Sequence, residues 1–259
     1  RLLGLDYVYL CFDVNEETLP AAVAGLKTCG IRGFNLTMPN KNKIVELLDD
    51  LSPEAQLIGA VNTVLNDNGK LIGYNTDGYG FMQSVRDAGH DITGKNITVM
   101  GVGGASMAIC AQSALDGAAS VHIFARRTSR YWNRTQKFAE NLSAKTGCQV
   151  CLFDNDDHTA LRDSIAQSYL LINATSVGMV PDIDDTIIKD TSLFHPELVV
   201  ADVVYEPQET RLLKEAKAAG CQTFNGMYML LHQGAKAFQI WTGQEMPVSV
   251  IKEKYFSVK

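Results

Sequence analysis

The stretch that decides the fold lies near the middle of the chain and reads Lys95-Asn96-Ile97-Thr98-Val99-Met100-Gly101-Val102-Gly103-Gly104-Ala105-Ser106. Residues 96–100 form an apolar run typical of a buried strand, and a helical pattern follows the glycines. Gly101 permits a tight turn, and Gly103 lets the backbone approach a phosphate group. The free amides and the dipole at the start of the helix attract the charge of that phosphate. Strand, glycine turn and helix in this order predict a dinucleotide-binding unit, with a purely structural turn as the alternative.

The third glycine of the general motif is replaced here by Ser106, three residues after Gly103. That glycine serves close packing of the helix on the strand, and a serine is small enough for the same packing. We therefore expect the turn and the first helical residues to bind the cofactor, namely Gly101, Gly103, Gly104, Ala105 and Ser106.

The end of the next strand indicates which nucleotide is bound. An NAD site usually carries an acidic residue there for the ribose, but none occurs between Gly117 and Ala139. The strand instead ends Phe124-Ala125-Arg126-Arg127, and Arg126 and Arg127 suit a 2′-phosphate. NADP is therefore favoured, while NAD is possible if backbone groups hold the ribose. The alternative is that the two arginines bind no phosphate and only form the solvated start of the next helix. The missing acid also argues against a methyltransferase that uses S-adenosylmethionine.

Strands and helices alternate on both sides of this unit, which predicts parallel strands with helices on both faces. Strands are expected at 7–12, 33–36, 61–65, 71–74, 120–124, 149–153, 169–172 and 198–203. Helices are expected at 18–29, 39–49, after Ser52, at 77–88, at 130–146 and at 226–241. Asn68-Gly69 predicts the turn of a hairpin between the third and fourth of these strands.

The predicted fold class is α/β, with an N-terminal substrate domain and a Rossmann-type dinucleotide-binding domain. The substrate domain is expected to comprise residues 1–76 plus about 227–259, and the Rossmann domain residues 77–226. Because ligands bind at the carboxyl ends of strands in such sheets, the active site is expected in the cleft between the domains.

Composition and charge exclude other classes. The chain has a formal charge of −6 with 23 Lys+Arg against 29 Asp+Glu, which is a poor balance for binding nucleic acid. No apolar run approaches the ~20 residues that span a bilayer. Cys148 and Cys151 form a C-x-x-C, but no second ligand pair supports zinc and the pair falls on a predicted strand rather than a redox helix. Two incidental thiols are favoured, no metal is expected, and the cysteine pattern predicts a cytoplasmic protein.

Three further segments combine polar residues with apolar flanks at predicted strand ends. They are Asn35-Leu36-Thr37-Met38-Pro39-Asn40-Lys41, Gly59-Ala60-Val61-Asn62-Thr63-Val64 and Gly73-Tyr74-Asn75-Thr76-Asp77-Gly78-Tyr79-Gly80. Each alone is explained by helix capping, with Thr37 or Asp77 as N-cap, or by a solvated Lys41.

Together the segments resemble the N-[VL]-T-x-P-x-K, A-[VI]-N-T and N-T-D-G-x-G motifs of the shikimate dehydrogenase family. The resemblance continues through residues 101–106, 173–179, 202–205 and 226–235, in the family's order and spacing. The Arg126-Arg127 region and the closing Trp241-Thr242-Gly243 look closer to the quinate/shikimate branch. The resemblance implies an NAD(P)-dependent oxidoreductase of aromatic amino acid biosynthesis that acts on shikimate or quinate.

The resemblance also implies roles for single residues. Lys41 would be the acid–base group and Asp77 its charged partner. Substrate would be bound by Thr37, Asn62, Tyr205 and Gln233. Thr175, Val203 and Gly226 would line the cofactor cleft.

The chain departs from the family at its start, where Arg1-Leu2-Leu3-Gly4 resembles the end of the family's first helix. The first strand and the S-x-S-P segment that holds the substrate carboxylate have no counterpart. We expect a fragment of a longer protein, because a domain without that central strand would expose sheet edges.

Two other functions stay open at this point. One is a dehydrogenase of another small polyol acid, since the motifs define the chemistry better than the substrate. The other is a non-catalytic dinucleotide sensor, against which Lys41 and Asp77 argue because a sensor needs neither. The sequence is compatible with a monomer or a homodimer.

Overall fold

A computed structural model describes residues 2–256 of the 259-residue chain. Two sheets organise it. The first has the strand order β1-β3-β4-β2, formed by β1 (Gly33–Asn35), β2 (Asp50–Leu51), β3 (Thr63–Asp67) and β4 (Lys70–Tyr74). Only β2 and β4 run parallel in it; β1 and β4 are antiparallel to β3. Three helices precede or connect these strands: α1 (Leu19–Thr28), α2 (Asn40–Lys43) and α3 (Pro53–Ile58).

The second sheet is entirely parallel and has six strands in the order β10-β9-β8-β5-β6-β7. Its strands are β5 (Asn96–Met100), β6 (Ser120–Ala125), β7 (Gln149–Asp154), β8 (Leu170–Asn173), β9 (Val199–Asp202) and β10 (Gln222–Phe224). The helices are α4 (Asp77–Asp87), α5 (Gly104–Leu115), α6 (Trp132–Thr146), α7 (His158–Gln167), α8 (Arg211–Ala218), α9 (Met227–Thr242) and α10 (Val248–Ile251). This architecture confirms the predicted α/β class.

The parallel sheet has a switch point between β5 and β8. The chain runs outward from β5 to β6 and β7, then returns to build β8, β9 and β10 on the other side of β5. Every residue of β8 and β9 is buried, as expected for strands covered on both faces. A crevice therefore opens beyond the carboxyl ends of β5 and β8, where ligands bind in such sheets.

The hairpin prediction is confirmed, with β3 paired to β4 around Asn68 and Gly69. Both turn residues have positive φ, 52° and 91°, which is the geometry that Asn-Gly accommodates. The Ser52 cap is confirmed too, because its side chain accepts a hydrogen bond from the Ala55 amide at the start of α3.

Helix α9 returns to the first sheet near the end of the chain. The indole Nε1 of Trp241 donates to the Val64 carbonyl at 2.9 Å. A Cβ on Gly33 would lie 2.1 Å from that Nε1, so a glycine is required where the tryptophan crosses β1. Gly80 of α4 packs against α9 in the same way, since its Cβ would lie 2.6 Å from the Gln233 amide. These contacts couple α9 to both β1 and α4.

Three sequence predictions of local structure are wrong. Residues 7–12 form no strand in the described chain, and their side chains are exposed, as at Val8 (85%). The helix expected over 39–49 ends after Lys43 and tightens into a 3-10 turn over Ile44–Leu47, because Leu48 must be extended to lead into β2. The N-cap of α4 is Thr76, while Asp77 is its first residue and uses its carboxylate elsewhere.

Candidate active site

The Lys41 ammonium and the Asp77 carboxylate meet where the two sheets adjoin. Lys41 lies on α2, whose position is held by a hydrogen bond from the Val61 amide to the Lys41 carbonyl at 2.8 Å. Asp77 begins α4, where the helix dipole favours a negative charge. Nζ of Lys41 lies 2.6 Å from Oδ2 of Asp77, and the two side chains are only 20% and 10% exposed. The pair is a charge-assisted hydrogen bond with limited access to water.

Asn62 supports the other oxygen of the carboxylate. Its Nδ2 donates to Oδ1 of Asp77 at 2.8 Å and lies 3.5 Å from Oε1 of Gln233 on α9. Asn62 is 2% exposed. Asn62, directly before β3, therefore supports the Lys41–Asp77 pair, and Gln233 of α9 lies beside Asn62.

Thr37 and Tyr205 are placed differently. Thr37 follows β1 and is exposed, and its hydroxyl has no hydrogen-bond partner within the described part of the chain. Tyr205 lies on the loop after β9 and is 44% exposed. Neither side chain forms a hydrogen bond with Lys41 or Asp77, so both leave their polar atoms free for a ligand.

The glycine turn between β5 and α5 has the geometry that the sequence predicts. Gly101 has φ +110°, and a Cβ there would lie 2.9 Å from the Ala174 carbonyl oxygen. Gly103 is the N-cap of α5, and no side chain caps this helix. A Cβ on Gly103 or Gly104 would meet no atom within 4 Å, so the first amides of α5 face open space. This is a cradle for an anion.

The Ser106 side chain explains why the third glycine is dispensable. Its hydroxyl donates to the Gly101 carbonyl at 2.5 Å, and the residue is fully buried. The serine therefore ties the start of α5 to the end of β5 and occupies no space in the crevice.

Thr175, Val203 and Gly226 lie along the crevice on the β8–β9 side. Cγ2 of Thr175 would be 2.9 Å from a Cβ on Gly101, so the loop after β8 directly abuts the glycine turn. A Cβ on Gly226 would be 2.1 Å from the Val203 carbonyl oxygen. The start of α9 therefore packs against the loop after β9 only because residue 226 is glycine.

A buried carboxylate that sequence reasoning did not single out organises these loops. Asp202, at the end of β9, is fully buried and accepts hydrogen bonds from Asn173 Nδ2 (3.0 Å), the Val204 amide (2.9 Å) and the Thr210 hydroxyl (2.8 Å). Burial raises the pKa of this carboxyl, although the three donors act in the opposite direction. Asn173 in turn accepts the hydroxyl of Thr175 at 2.6 Å. This one carboxylate thus connects β8, β9 and the cap of α8. In the sequence, only the position of Asp202 in the motif at residues 202–205 pointed to it.

Arg126 and Arg127 follow β6 and are exposed. The guanidinium of Arg127 lies 4.7 Å from the centre of the Trp132 ring. Neither arginine is paired with an acidic side chain of residues 2–256, so their donors are available to a ligand.

One cleft joins the two groups of residues. It has a volume of about 130 Å³ and is lined on one side by Lys41 and on the other by Gly103 and Gly104. Further lining residues, which the sequence did not indicate, include Met38, Tyr131 and Arg134. Nη2 of Arg134 lies 3.5 Å from the carbonyls of Ile58 and Gly59, across the boundary between the two sheets.

Other possible sites receive no support in residues 2–256. This part of the chain holds no group of three or more His, Cys, Asp or Glu side chains that could bind a metal. None of its helices has the length and apolar character needed to cross a membrane. Cys148 and Cys151 are free thiols, and burial raises the pKa of Cys148 to about 11. Because the thiolate is the reactive form, this cysteine is poorly suited to redox chemistry.

A glycine turn at the switch point of a parallel sheet, with a lysine–carboxylate pair in the same cleft, defines the class: an oxidoreductase that uses a dinucleotide. The family model for the shikimate dehydrogenase substrate binding domain matches residues 1–64. The model for the shikimate 5′-dehydrogenase C-terminal domain matches residues 226–254.

Individual proteins agree with these matches. The shikimate dehydrogenase (NADP(+)) of Listeria innocua is 52% identical over 98% of this chain and 87% of its own length. The crystal structure of shikimate 5-dehydrogenase from Listeria monocytogenes with shikimate and NAD has a TM-score of 0.94 and 51% identity, covering 97% of this chain and 87% of that one. Quinate dehydrogenase from Corynebacterium glutamicum with NAD has a TM-score of 0.82 and 33% identity, and the match covers 93% of this chain and 83% of that one. The chain belongs to the shikimate dehydrogenase family.

Proposed function

We propose that the protein is an NADP-dependent shikimate dehydrogenase, which catalyses reversible hydride transfer between shikimate and NADP to give 3-dehydroshikimate and NADPH. NAD is a possible second cofactor and quinate a second substrate. The observation that carries the proposal is that Lys41 and the glycine turn line one cleft, since this chemistry needs a proton-transfer group beside a dinucleotide.

The cofactor fits the residues that are present. The open space at Gly103 and Gly104 leaves the amides of α5 accessible to a pyrophosphate. The unpaired Arg126 and Arg127 after β6 suit a 2′-phosphate. When bound, the nicotinamide ring supplies the hydride acceptor or donor. The curated name of the Listeria innocua relative includes NADP(+), and the crystal structures with NAD support the second cofactor.

The chain's own part in the reaction is to move one proton. As the alcohol is oxidised, Nζ of a neutral Lys41 accepts the proton of the substrate hydroxyl. The hydride leaves the carbon that carries this hydroxyl. In the reverse direction the Lys41 ammonium donates its proton to the oxygen as negative charge develops on it. Oδ2 of Asp77, 2.6 Å from Nζ, fixes the direction in which the amine points. Such positioned proton transfer contributes roughly 10²- to 10⁴-fold to the rate.

Four polar side chains are the groups that we assign to the substrate hydroxyls and carboxylate. The amide of Gln233 lies beside the Lys41–Asp77 pair, and Asn62 holds that pair. The free hydroxyls of Thr37 and Tyr205 are available to a polar substrate. We assign the hydroxyl contacts to Thr37, Asn62 and Gln233, and place Tyr205 near the carboxylate.

The division into domains follows the same reasoning. We propose a substrate domain of residues 1–76 plus about 227–259 and a cofactor domain of residues 77–226. The contacts of Trp241 with β1 and β3 support the return of the last helices to the first domain. The free thiols support a reducing cytoplasm as the location.

A direct assay tests the proposal. The absorbance of the reduced cofactor is followed with shikimate and with quinate, each in the presence of NADP and of NAD. We expect turnover of shikimate with NADP. Tight binding of NADPH without turnover of either substrate would instead indicate a sensor, and turnover confined to another polyol acid would overturn the substrate assignment.

A further inference from the structure

We infer that Thr63 and Asn35 are positioning residues for the reaction: a directed chain of hydrogen bonds from Asn35 through Thr63 and Asn62 holds the Asp77 carboxylate against Lys41. Neither Thr63 nor Asn35 touches Lys41 or Asp77 through a hydrogen bond of its own. The inference rests on the proposed function, because it concerns how well Lys41 is aligned to transfer a proton.

The first link is the orientation of the Asn62 amide. The backbone amide of Thr76 is only a donor, and it lies 2.9 Å from Oδ1 of Asn62. That bond identifies Oδ1 as the acceptor of the Asn62 amide, so Nδ2 is the atom that donates, both to the Thr76 hydroxyl (3.0 Å) and to Asp77. Nδ2 then donates to Oδ1 of Asp77 at 2.8 Å. With one carboxylate oxygen held in this way, the other is left for Lys41.

The second link is the Thr63 hydroxyl, which also approaches Oδ1 of Asn62 at 3.0 Å. A hydroxyl has one hydrogen and could direct it elsewhere, for example to Thr76 Oγ1 at 3.4 Å. Nδ2 of Asn35 lies 3.0 Å from Thr63 Oγ1 and can only donate. The Thr63 oxygen accepts there, and its hydrogen is assigned to Oδ1 of Asn62 because that contact is the shorter of the two, 3.0 Å against 3.4 Å. This bond reinforces the amide orientation.

The chain follows the strand pairing of the first sheet. Asn35 is the register partner of Thr63 across β1 and β3, and Thr63 is the partner of Tyr74 across β3 and β4. Thr63 and Thr76 are 0% and 2% exposed, so water cannot reach this position to replace the hydrogen bonds of a lost hydroxyl. The pairing of β1, β3 and β4 thereby fixes the hydrogen bonds that orient the Asp77 carboxylate at the start of α4.

The test compares Thr63→Val with Thr63→Ser. Valine keeps the shape but removes both hydrogen bonds, while serine retains the hydroxyl. We expect Thr63→Val to lower kcat by about tenfold, the loss that goes with one buried hydrogen bond, with KM for NADP changed by less than about twofold. The solvent deuterium isotope effect on kcat should increase, because proton transfer becomes slower relative to the other steps. Thr63→Ser should restore most of kcat.

A second variant covers the case in which Thr63→Val fails to fold. Asn35 is only half-buried, and Asn35→Ala removes the donor to Thr63 together with its bonds to the Asn62 carbonyl (3.1 Å) and from the Tyr9 hydroxyl (2.9 Å). It should lower kcat and raise the solvent isotope effect in the same direction. Wild-type kcat in the folded Thr63→Val or Asn35→Ala protein, or equal losses in Thr63→Val and Thr63→Ser, would overturn the inference. Absence of turnover by the unaltered protein would refute the proposed function instead, so the two failures are distinguishable.

Discussion

Oδ2 of Asp77 lies 2.6 Å from Nζ of Lys41, although 36 positions separate the two residues in the chain. The ammonium comes from α2 beside the first sheet, and the carboxylate from the first turn of α4, which leads to the second sheet. Because both side chains are largely shielded from water, their attraction is screened less than that of a surface pair. The ion pair is therefore held where the two sheets adjoin.

The glycine turn gives a prediction that separates cofactor binding from stability. Gly103→Ala should leave the melting temperature unchanged, because φ is −79° and the new Cβ meets no atom within 4 Å. The methyl group would occupy the approach to the α5 amides, and loss of a charge-assisted hydrogen bond there should weaken NADPH binding by about tenfold or more. Isothermal titration and thermal denaturation measure the two quantities.

Gly25→Ala on α1 is the matched control, since a Cβ there also meets no atom within 4 Å. It should bind NADPH as the unaltered protein does. Equal affinity of the Gly103→Ala and Gly25→Ala variants would mean that no phosphate lies at this turn.

The two arginines after β6 give a prediction about cofactor choice. The double change Arg126→Ala with Arg127→Ala should raise KM for NADP by about tenfold or more, because a 2′-phosphate loses its charge-assisted donors. KM for NAD, which lacks that phosphate, should change little. Lys145→Ala at the far end of α6 controls for the loss of positive charge. An equal increase of KM for NADP and for NAD would show that the two arginines do not bind the 2′-phosphate.

Asp202 gives a prediction about pH and stability. Burial raises the pKa of this carboxyl above its usual value of 3.8, so the folded state holds the proton more tightly than the unfolded state. Its contribution to stability is complete below about pH 3.8 and is lost as pH rises through the higher folded pKa. Asp202→Asn removes this titration. The free energy of unfolding of the unaltered protein, minus that of Asp202→Asn, should therefore fall as the pH rises above about 3.8 in urea denaturation. A difference that increases as the pH is raised from there would contradict the assignment.

Much of the parallel sheet could be predicted from sequence because its strands are buried on both faces. Continuous apolar runs, as in β5, β8 and β9, stand out against the helices between them. β2 has two residues, and β10 has three, none of them buried. Strands this short show no alternation of apolar and polar residues that could be recognised in the sequence. Residues 7–12 have strand-like composition, but pairing depends on a neighbouring strand and not on composition alone.

The candidate site was predictable in part. Lys41 and Asp77 were found through motifs, since nothing local distinguishes them from a solvated lysine and a helix cap. The connecting residues were missed because their role exists only across strands: Thr63 acts through its register with Asn35, and Asp202 through loops after β8 and β9. Arg134 was missed because its contact with α3 joins the two sheets.

The most direct measurement is kcat for shikimate oxidation with NADP by the Lys41→Met variant, together with its dissociation constant for NADPH. Methionine keeps an unbranched side chain but cannot accept or donate the proton, so kcat should fall by about 10²- to 10⁴-fold while NADPH affinity is retained. Lys43→Met is the matched control, because Lys43 lies on the same helix but is exposed and paired with Glu46; its kcat should be unchanged. A Lys41→Met enzyme that turns over shikimate as fast as the Lys43→Met enzyme would contradict the role of Lys41 in the reaction.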